Sequence, residues 1–215
     1  MNGRDADYLD IVAHYEACLD AHGDTHRGVD WPNADDASKR YDVMLGVLEH
    51  PRCPPAPTVL DLGCGAGHML EHLRRVGPPD VRYLGADISP RFIDLCRRKF
   101  PSESFTLVDV LRDSDQLPVA DFVVANGVFT EKRSLSWEAM WSYTRRMITT
   151  VFSTTRIGLA FNVMSHHVDW QRDDLFHLPY DTLAAFLRAE VSRHFLFRAD
   201  YGLYEYTAYV YREAR

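Results

Sequence analysis

The stretch VLDLGCGAGHML, residues 59–70, passes from an apolar run with an acid, Asp61, into three glycines at alternate positions, Gly63, Gly65 and Gly67, and then into residues that suit a helix. Glycine loses more conformational freedom on folding than any other residue. Three of them so close together imply positive φ, a tight turn, or another molecule lying against the main chain. A strand, a glycine turn and a helix in that order open a nucleotide-binding β-α unit.

The pattern on either side is consistent with that opening. TVLDL is followed by Met69, Leu70, Leu73 and Val76 at helical spacing, and VRYLGAD by Phe92, Ile93, Cys96 and Phe100; SFTLVDV, ADFVVAN and RIGLAFNV are further short apolar runs. Alternating strand and helix predicts a mostly parallel sheet covered on both faces. Trp137, Met140, Trp141, Thr144, Met147, Ile148, Val151 and Phe152 share one helical stripe between Leu135 and Phe152, so a long helix should dock there. The tail RHFLFRADYGLYEYTAYVYRE reads as two aromatic and β-branched strands around a short turn at Tyr201-Gly202, hence an antiparallel pair.

Upstream, Tyr8, Ile11, Val12, Tyr15 and Leu19 recur at helical spacing, as do Ala37, Tyr41, Met44 and Leu48, with a polar loop between the two sets. PRCPPAPT, residues 51–58, marks a boundary. The expected organisation is an N-terminal helical lid and substrate-side section, residues 1–52, followed by the main domain, residues 53–215.

The chain of 215 residues can bury a substantial core. Its 24 basic and 31 acidic residues give a formal charge of -7, which opposes binding to nucleic acid or an anionic membrane surface. No signal-peptide pattern or membrane-length apolar run is present, so the sequence reads as cytoplasmic, a monomer or homodimer. Cys18, Cys53, Cys64 and Cys96 lack a C-x-x-C pair and read as reduced thiols rather than a zinc site. No metal is expected.

In an open parallel sheet the ligand sits beyond the C-terminal ends of the strands, so polar residues there are the candidates. They are the glycine loop, Asp87 after the second strand, Asp109 after the third, and Asn126-Gly127 after the fourth. Asp87 follows Gly67 at the distance expected of an acid that accepts from ribose hydroxyls, which points to an adenosine-containing ligand. The glycines run G-x-G-x-G rather than the G-x-G-x-x-G of a pyrophosphate-binding turn, so a nucleotide-dependent oxidoreductase is the weaker alternative.

VLDLGCGAG, LGADIS and LVDV together resemble motifs of the class I S-adenosylmethionine-dependent methyltransferases, over roughly residues 56–213. The resemblance implies a doubly wound, seven-stranded Rossmann-like α/β sheet with a C-terminal antiparallel hairpin, and S-adenosylmethionine as cofactor. It also implies roles. Gly63, Cys64, Gly65 and Gly67 would approach the methionyl and ribose parts, and Asp61 would brace the loop or reach the amino group. Asp87 would accept from the ribose hydroxyls, Ile88 would lie on the adenine, and Asp109 and the Val110 backbone would meet the adenine edge. Asn126 and Gly127 would flank the methionyl end. THRGVDW, RYDVML and YTAYVYR resemble small bacterial methyltransferases whose N-terminal helices cover the cofactor. In that setting Arg40 would pair with the cofactor carboxylate, and Trp31 or Tyr15 would wall the pocket. The competing reading of Arg40 is a solvated helix face, and a non-catalytic partner protein of the same fold is a further alternative.

Methyl transfer from a sulfonium needs alignment and exclusion of water, and a hydroxyl acceptor also needs a base. Glu131, His166 and His167, on loops after the fourth and fifth strands, are the candidates, the histidines ranked slightly first. With no appended domain to hold a macromolecule, the expected acceptor is a small molecule such as a sugar, amino sugar or other specialised metabolite. HMLEH, residues 68–72, matches an H-x-x-E-H zinc pattern, but it opens the helix after the glycine loop, where it must pack on the sheet.

Overall fold

Every residue of strand β1 (Thr58–Leu62) is buried, as a run interrupted only by Asp61 requires at the centre of a sheet covered on both faces. The computed structural model describes residues 8–78 and 80–215; the first seven residues of the expected N-terminal section lie outside the described residues. In chain order the elements are α1 (Leu9–His22), α2 (Ala34–Leu45), β1, α3 (His68–Val76), β2 (Arg82–Asp87), α4 (Pro90–Lys99), β3 (Ser104–Leu107), β4 (Ala120–Phe129), α5 (Trp137–Thr154), β5 (Thr155–Ser165), β6 (His177–Leu178), α6 (Tyr180–Phe186), β7 (His194–Arg198) and β8 (Glu205–Tyr211).

The strands form one sheet in the order β3-β2-β1-β4-β5-β8-β7, with β6 beside β5. Strands β1 to β6 pair in parallel, and β8 lies antiparallel between β5 and β7. The seven expected strands are therefore joined by an eighth, β6, whose two residues are too few to show periodicity.

Alternation along β1 feeds two cores. Leu60 and Leu62 join Met140, Ile148 and Val151 of α5 on one face. Val59 joins Met69 and Leu70 of α3, Ile93 and Cys96 of α4, and Met44 of α2 on the other. The expected long helix is α5, capped by Ser136, whose side chain accepts from the Ala139 N–H. Gly85 of β2 is glycine for packing, since a Cβ there would lie 2.4 Å from Phe105 Cδ1. Gly85→Ala is expected to destabilise the fold by about 1–3 kcal/mol, readable as a lowered urea midpoint; an unchanged midpoint would refute this packing role.

The two N-terminal helices attach differently. Helix α2 buries Ala37, Tyr41, Val43 and Met44 in the core. Helix α1 buries only Ile11. Its acids reach across instead: Asp10 accepts from Ser134 Oγ at 2.8 Å, Glu16 from Ser89 Oγ at 2.5 Å, and Asp20 pairs with Arg91. Just beyond α1, Asp24 pairs with Lys99 and His68, each at 2.8 Å. A helix held by surface hydrogen bonds and ion pairs more than by apolar burial belongs to the less stable part of a fold.

Candidate active site

Strand order reverses between β1 and β4, because β2 and β3 extend the sheet one way and β5 the other. The glycine loop sits at that point. Gly63, Gly65 and Gly67 have φ of 71°, 51° and 78°, a region other residues enter only with strain. Backbone N–H groups of Gly63 and Cys64 donate to the Ala86 carbonyl, at 2.8 and 3.1 Å. Asp87 completes the tie: its Oδ2 accepts from the Gly65 N–H and its Oδ1 from the Ser89 N–H, both at 2.9 Å. On the other side β4 shifts register between Ala125 and Phe129. The shift brings Asn126 and Gly127 (φ 81°) to the same opening, a common use of a bulge.

Above the loop lies a cavity whose empty space, open mouth included, is about 930 Å³. Asp61, Gly63, Cys64, Gly65, Asp87, Ile88, Asn126 and Gly127 all line it. Gly67 does not; it begins α3, where an added Cβ would lie 2.7 Å from the Phe100 ring. Asp109 and Val110 also lie outside the lining. Val110 is buried, and Asp109 accepts from Leu111 N and, at 2.6 Å, from the Tyr8 hydroxyl. Tyr8 itself lines the cavity, stacked on Tyr143 with ring centroids 5.3 Å apart. Tyr143 lies off the apolar stripe of α5 that the sequence revealed, and no sequence signal singled it out. The α1 residues Ile11, Val12 and Tyr15 face the cavity as well, with Trp31.

Two carboxylates shape the electrostatics. Burial pushes Asp61 up to about 7, helped by the charge of Asp87 and opposed by the Tyr83 hydroxyl, which donates to it at 2.7 Å. Burial also raises Asp87, against the backbone N–H groups of Ser89, Gly65 and Ile88. The raised Asp61 makes the folded state hold a proton that the unfolded chain releases near 4. Its contribution to stability is therefore full below about pH 4 and is lost as pH rises through about 7. At about 1.4 kcal/mol per unit this amounts to a few kcal/mol. Asp61→Asn is expected to remove that loss, so the ligand-free variant should be more stable than the parent at about pH 8 and should differ little at about pH 4. Urea denaturation against pH checks this, and identical profiles for the two proteins would overturn it.

A second cavity, about 1080 Å³ with its open mouth, meets the first at Trp31, which lines both. Acids Asp30, Asp36, Glu131 and Asp169 line it with Arg40, Arg172 and the exposed pair Trp170 and Tyr204. Arg40 is no solvated residue. Its guanidinium stacks 4.2 Å above Trp31, and its Nε donates to Glu205 at 2.8 Å. Glu205 accepts from Asn162 Nδ2, and Asn162 Oδ1 accepts from the Gly127 N–H. This buried chain connects the second cavity to the β4 bulge beside the first. The Nη1 of Arg40 and Oδ1 of Asn126 are buried without a hydrogen-bond partner, so each is open to a ligand.

The three base candidates separate. Glu131 is buried in the wall of the second cavity and raised by burial and by the charge of Asp30, with Arg133 opposing. His166 is exposed and contacts Gln171. His167 stacks on Tyr180 at 5.5 Å. Neither histidine lines either cavity. A residue the sequence did not single out, His177, does line the second cavity, but Nδ1 donates to the Ser165 carbonyl and Nε2 accepts from the Arg172 N–H, which occupies both ring nitrogens. In HMLEH, His68 and His72 pair with Asp24 and Asp42, two separate carboxylates rather than one metal centre.

The family model described as a methyltransferase domain matches residues 60–149. A protein of Mycobacterium tuberculosis carrying a methyltransferase designation, Rv1506c, is 29% identical over 156 residues, which are 71% of this chain and 92% of that protein. The SAH-bound magnesium protoporphyrin IX methyltransferase of Synechocystis superposes with a TM-score of 0.68 at 14% identity, over 95% of this chain and 100% of that one. An O-methyltransferase family protein of Burkholderia thailandensis gives 0.59 at 19% identity, over 84% and 58%. Residues 60–149 thus match a methyltransferase domain, and the whole chain shares the fold of S-adenosylmethionine-dependent methyltransferases. The first cavity suits S-adenosylmethionine, the cofactor of that fold: two carboxylates and an unpartnered amide oxygen face it, and among the described residues no arginine or lysine lines it. A pyrophosphate would meet negative charge with no cation, which disfavours the dinucleotide alternative. Among the described residues no helix is long and apolar enough to cross a membrane.

Proposed function

We propose that this methyltransferase transfers a methyl group to oxygen or nitrogen of a small molecule, such as a sugar, amino sugar or other specialised metabolite, seated in the second cavity. The observation that carries the reading is the meeting of the two cavities at Trp31. One is dressed for a cation with ribose hydroxyls, and the other is a polar, aromatic-rimmed chamber with a buried carboxylate. The fold shared with an O-methyltransferase family protein is consistent with it.

On this reading Asp87 accepts from the ribose, Ile88 and Tyr143 flank the adenine, Asp109 is reached through or beside Tyr8, and Asp61 and Asn126 face the methionyl end. Arg40, anchored by Glu205, offers its open Nη1 toward the acceptor side. When bound, the cofactor supplies a methyl group on a sulfonium to an in-line nucleophile. The chain's own part is to align the acceptor, exclude water beneath α1 and α2, and accept a proton at Glu131 when the nucleophile is a hydroxyl. Residues 1–52 then act as the lid over domain 53–215. Calorimetry with S-adenosylmethionine, SAH and NAD tests the reading: the first two should bind and NAD should not. A turnover screen across hydroxyl and amine acceptors follows; methylation confined to macromolecules would overturn the small-molecule assignment.

A further inference from the structure

His14 and Cys18 stand one turn apart on α1, and Asp30 lies beneath them at the end of the 3-10 turn His26–Val29. The imidazole Nε2 of His14 is 2.7 Å from Asp30 Oδ2 and 3.7 Å from Cys18 Sγ. All three donor atoms fall within 4.8 Å of one another. A thiol-imidazole-carboxylate relay needs the thiol and the acid on opposite ring nitrogens. Here both approach the same nitrogen, so the ring cannot pass a proton from one to the other. The thiol is also not primed for attack, because burial and then the charge of Asp30 push it up. What the three groups share is convergence on one point.

We propose that His14, Cys18 and Asp30 form a binding site for a borderline divalent cation of the zinc type, joining lid helix α1 to the segment that leads into α2. Zinc takes sulfur at about 2.3 Å and nitrogen or oxygen at about 2.0–2.2 Å, so tetrahedral ligation places N and S about 3.6 Å apart and N and O about 3.4 Å apart. The sulfur-nitrogen distance already fits. The imidazole-carboxylate hydrogen bond has to open by less than an ångström as the metal replaces its proton. Charge points the same way: Asp30 and Glu131 line the same cavity. A dication relieves that crowding. Sulfur and imidazole select zinc-type ions over magnesium or calcium, and three protein ligands leave one position open. Asp30 also lines the second cavity, so the ion would sit beside the acceptor chamber and hold the lid to its wall.

Cobalt(II) titration of the reduced, chelator-treated full chain tests the site. One equivalent should produce thiolate-to-cobalt charge-transfer absorption with intense tetrahedral d–d bands, and zinc should abolish both. Cys18→Ser should lose the charge-transfer band, His14→Ala and Asp30→Asn should each weaken binding by at least about tenfold, and Cys53→Ser should bind as the parent does. SAH calorimetry on each variant reports its folding. No charge-transfer band in the parent protein at millimolar cobalt overturns the proposal. So does a band that survives undiminished in both His14→Ala and Asp30→Asn, since that is a lone thiol adduct, or one that is lost in Cys53→Ser instead of Cys18→Ser.

Discussion

Asp87→Ala should bind SAH ten- to a thousandfold more weakly than the parent protein. Two losses combine. Hydrogen bonds to a charged group contribute about 1.5–3 kcal/mol each, and on the proposed reading the ribose hydroxyls lose that acceptor. The carboxylate also holds the Gly65 and Ser89 N–H groups at 2.9 Å, so its removal leaves two donors without their partner and frees the glycine loop from the end of β2. Fragment binding separates the two effects. Adenosine carries the ribose but not the methionyl group, so loss of the ribose contacts alone should weaken adenosine and SAH by the same factor. Collapse of the loop should weaken SAH more. Asp87→Asn should fall between, because its amide oxygen can accept from one N–H while its NH₂ faces the other. A folded Asp87→Ala variant with parental affinity for both ligands would remove Asp87 from the ribose site.

The parts of this site legible in the sequence are those built from neighbours in the chain. The G-x-G-x-G loop, the acid ending β2 and the strand-helix alternation are local patterns, and the sheet that resulted is the one they imply. The parts that were not legible depend on contacts between distant segments. Arg40 and Glu205 are 165 positions apart and meet only because β8 inserts between β5 and β7. The spacing of the tail revealed an antiparallel pair but not that order. Helix α1 shows an apolar stripe whose residues wall a cavity as well as meeting the core, and a stripe looks the same in either setting. The acid ladder from Asp10 to Asp24 finds partners on α3, α4 and the loop after β4, which no single-helix pattern discloses. Cysteine spacing likewise excludes a C-x-x-C zinc site without addressing a His-x-x-x-Cys pair completed by an acid from another segment.

Glu131→Gln should lower kcat by about a hundred- to ten-thousandfold for a hydroxyl acceptor, the usual contribution of a general base, and leave SAH affinity nearly unchanged. The sequence ranked His166 and His167 ahead of Glu131 because imidazole titrates near neutrality without tuning. Placement argues the other way. Neither histidine lines either of the two cavities, whereas Glu131 is buried in the wall of the second, which meets the first at Trp31. Its environment also supplies the tuning a carboxylate needs, since burial and Asp30 raise it while Arg133 alone pulls it back. A base works once deprotonated, so the parent rate should fall as pH drops through the raised value of Glu131, and that limb should disappear from the residual activity of Glu131→Gln. His166→Ala and His167→Ala should keep parental rates. An amine acceptor that arrives already neutral needs no such base, so with it the Glu131→Gln effect should shrink at high pH, where the free amine is abundant. Single-turnover measurements with one acceptor of each kind decide the matter. A Glu131→Gln enzyme that methylates the hydroxyl at the parental rate would move the proton elsewhere in the chamber.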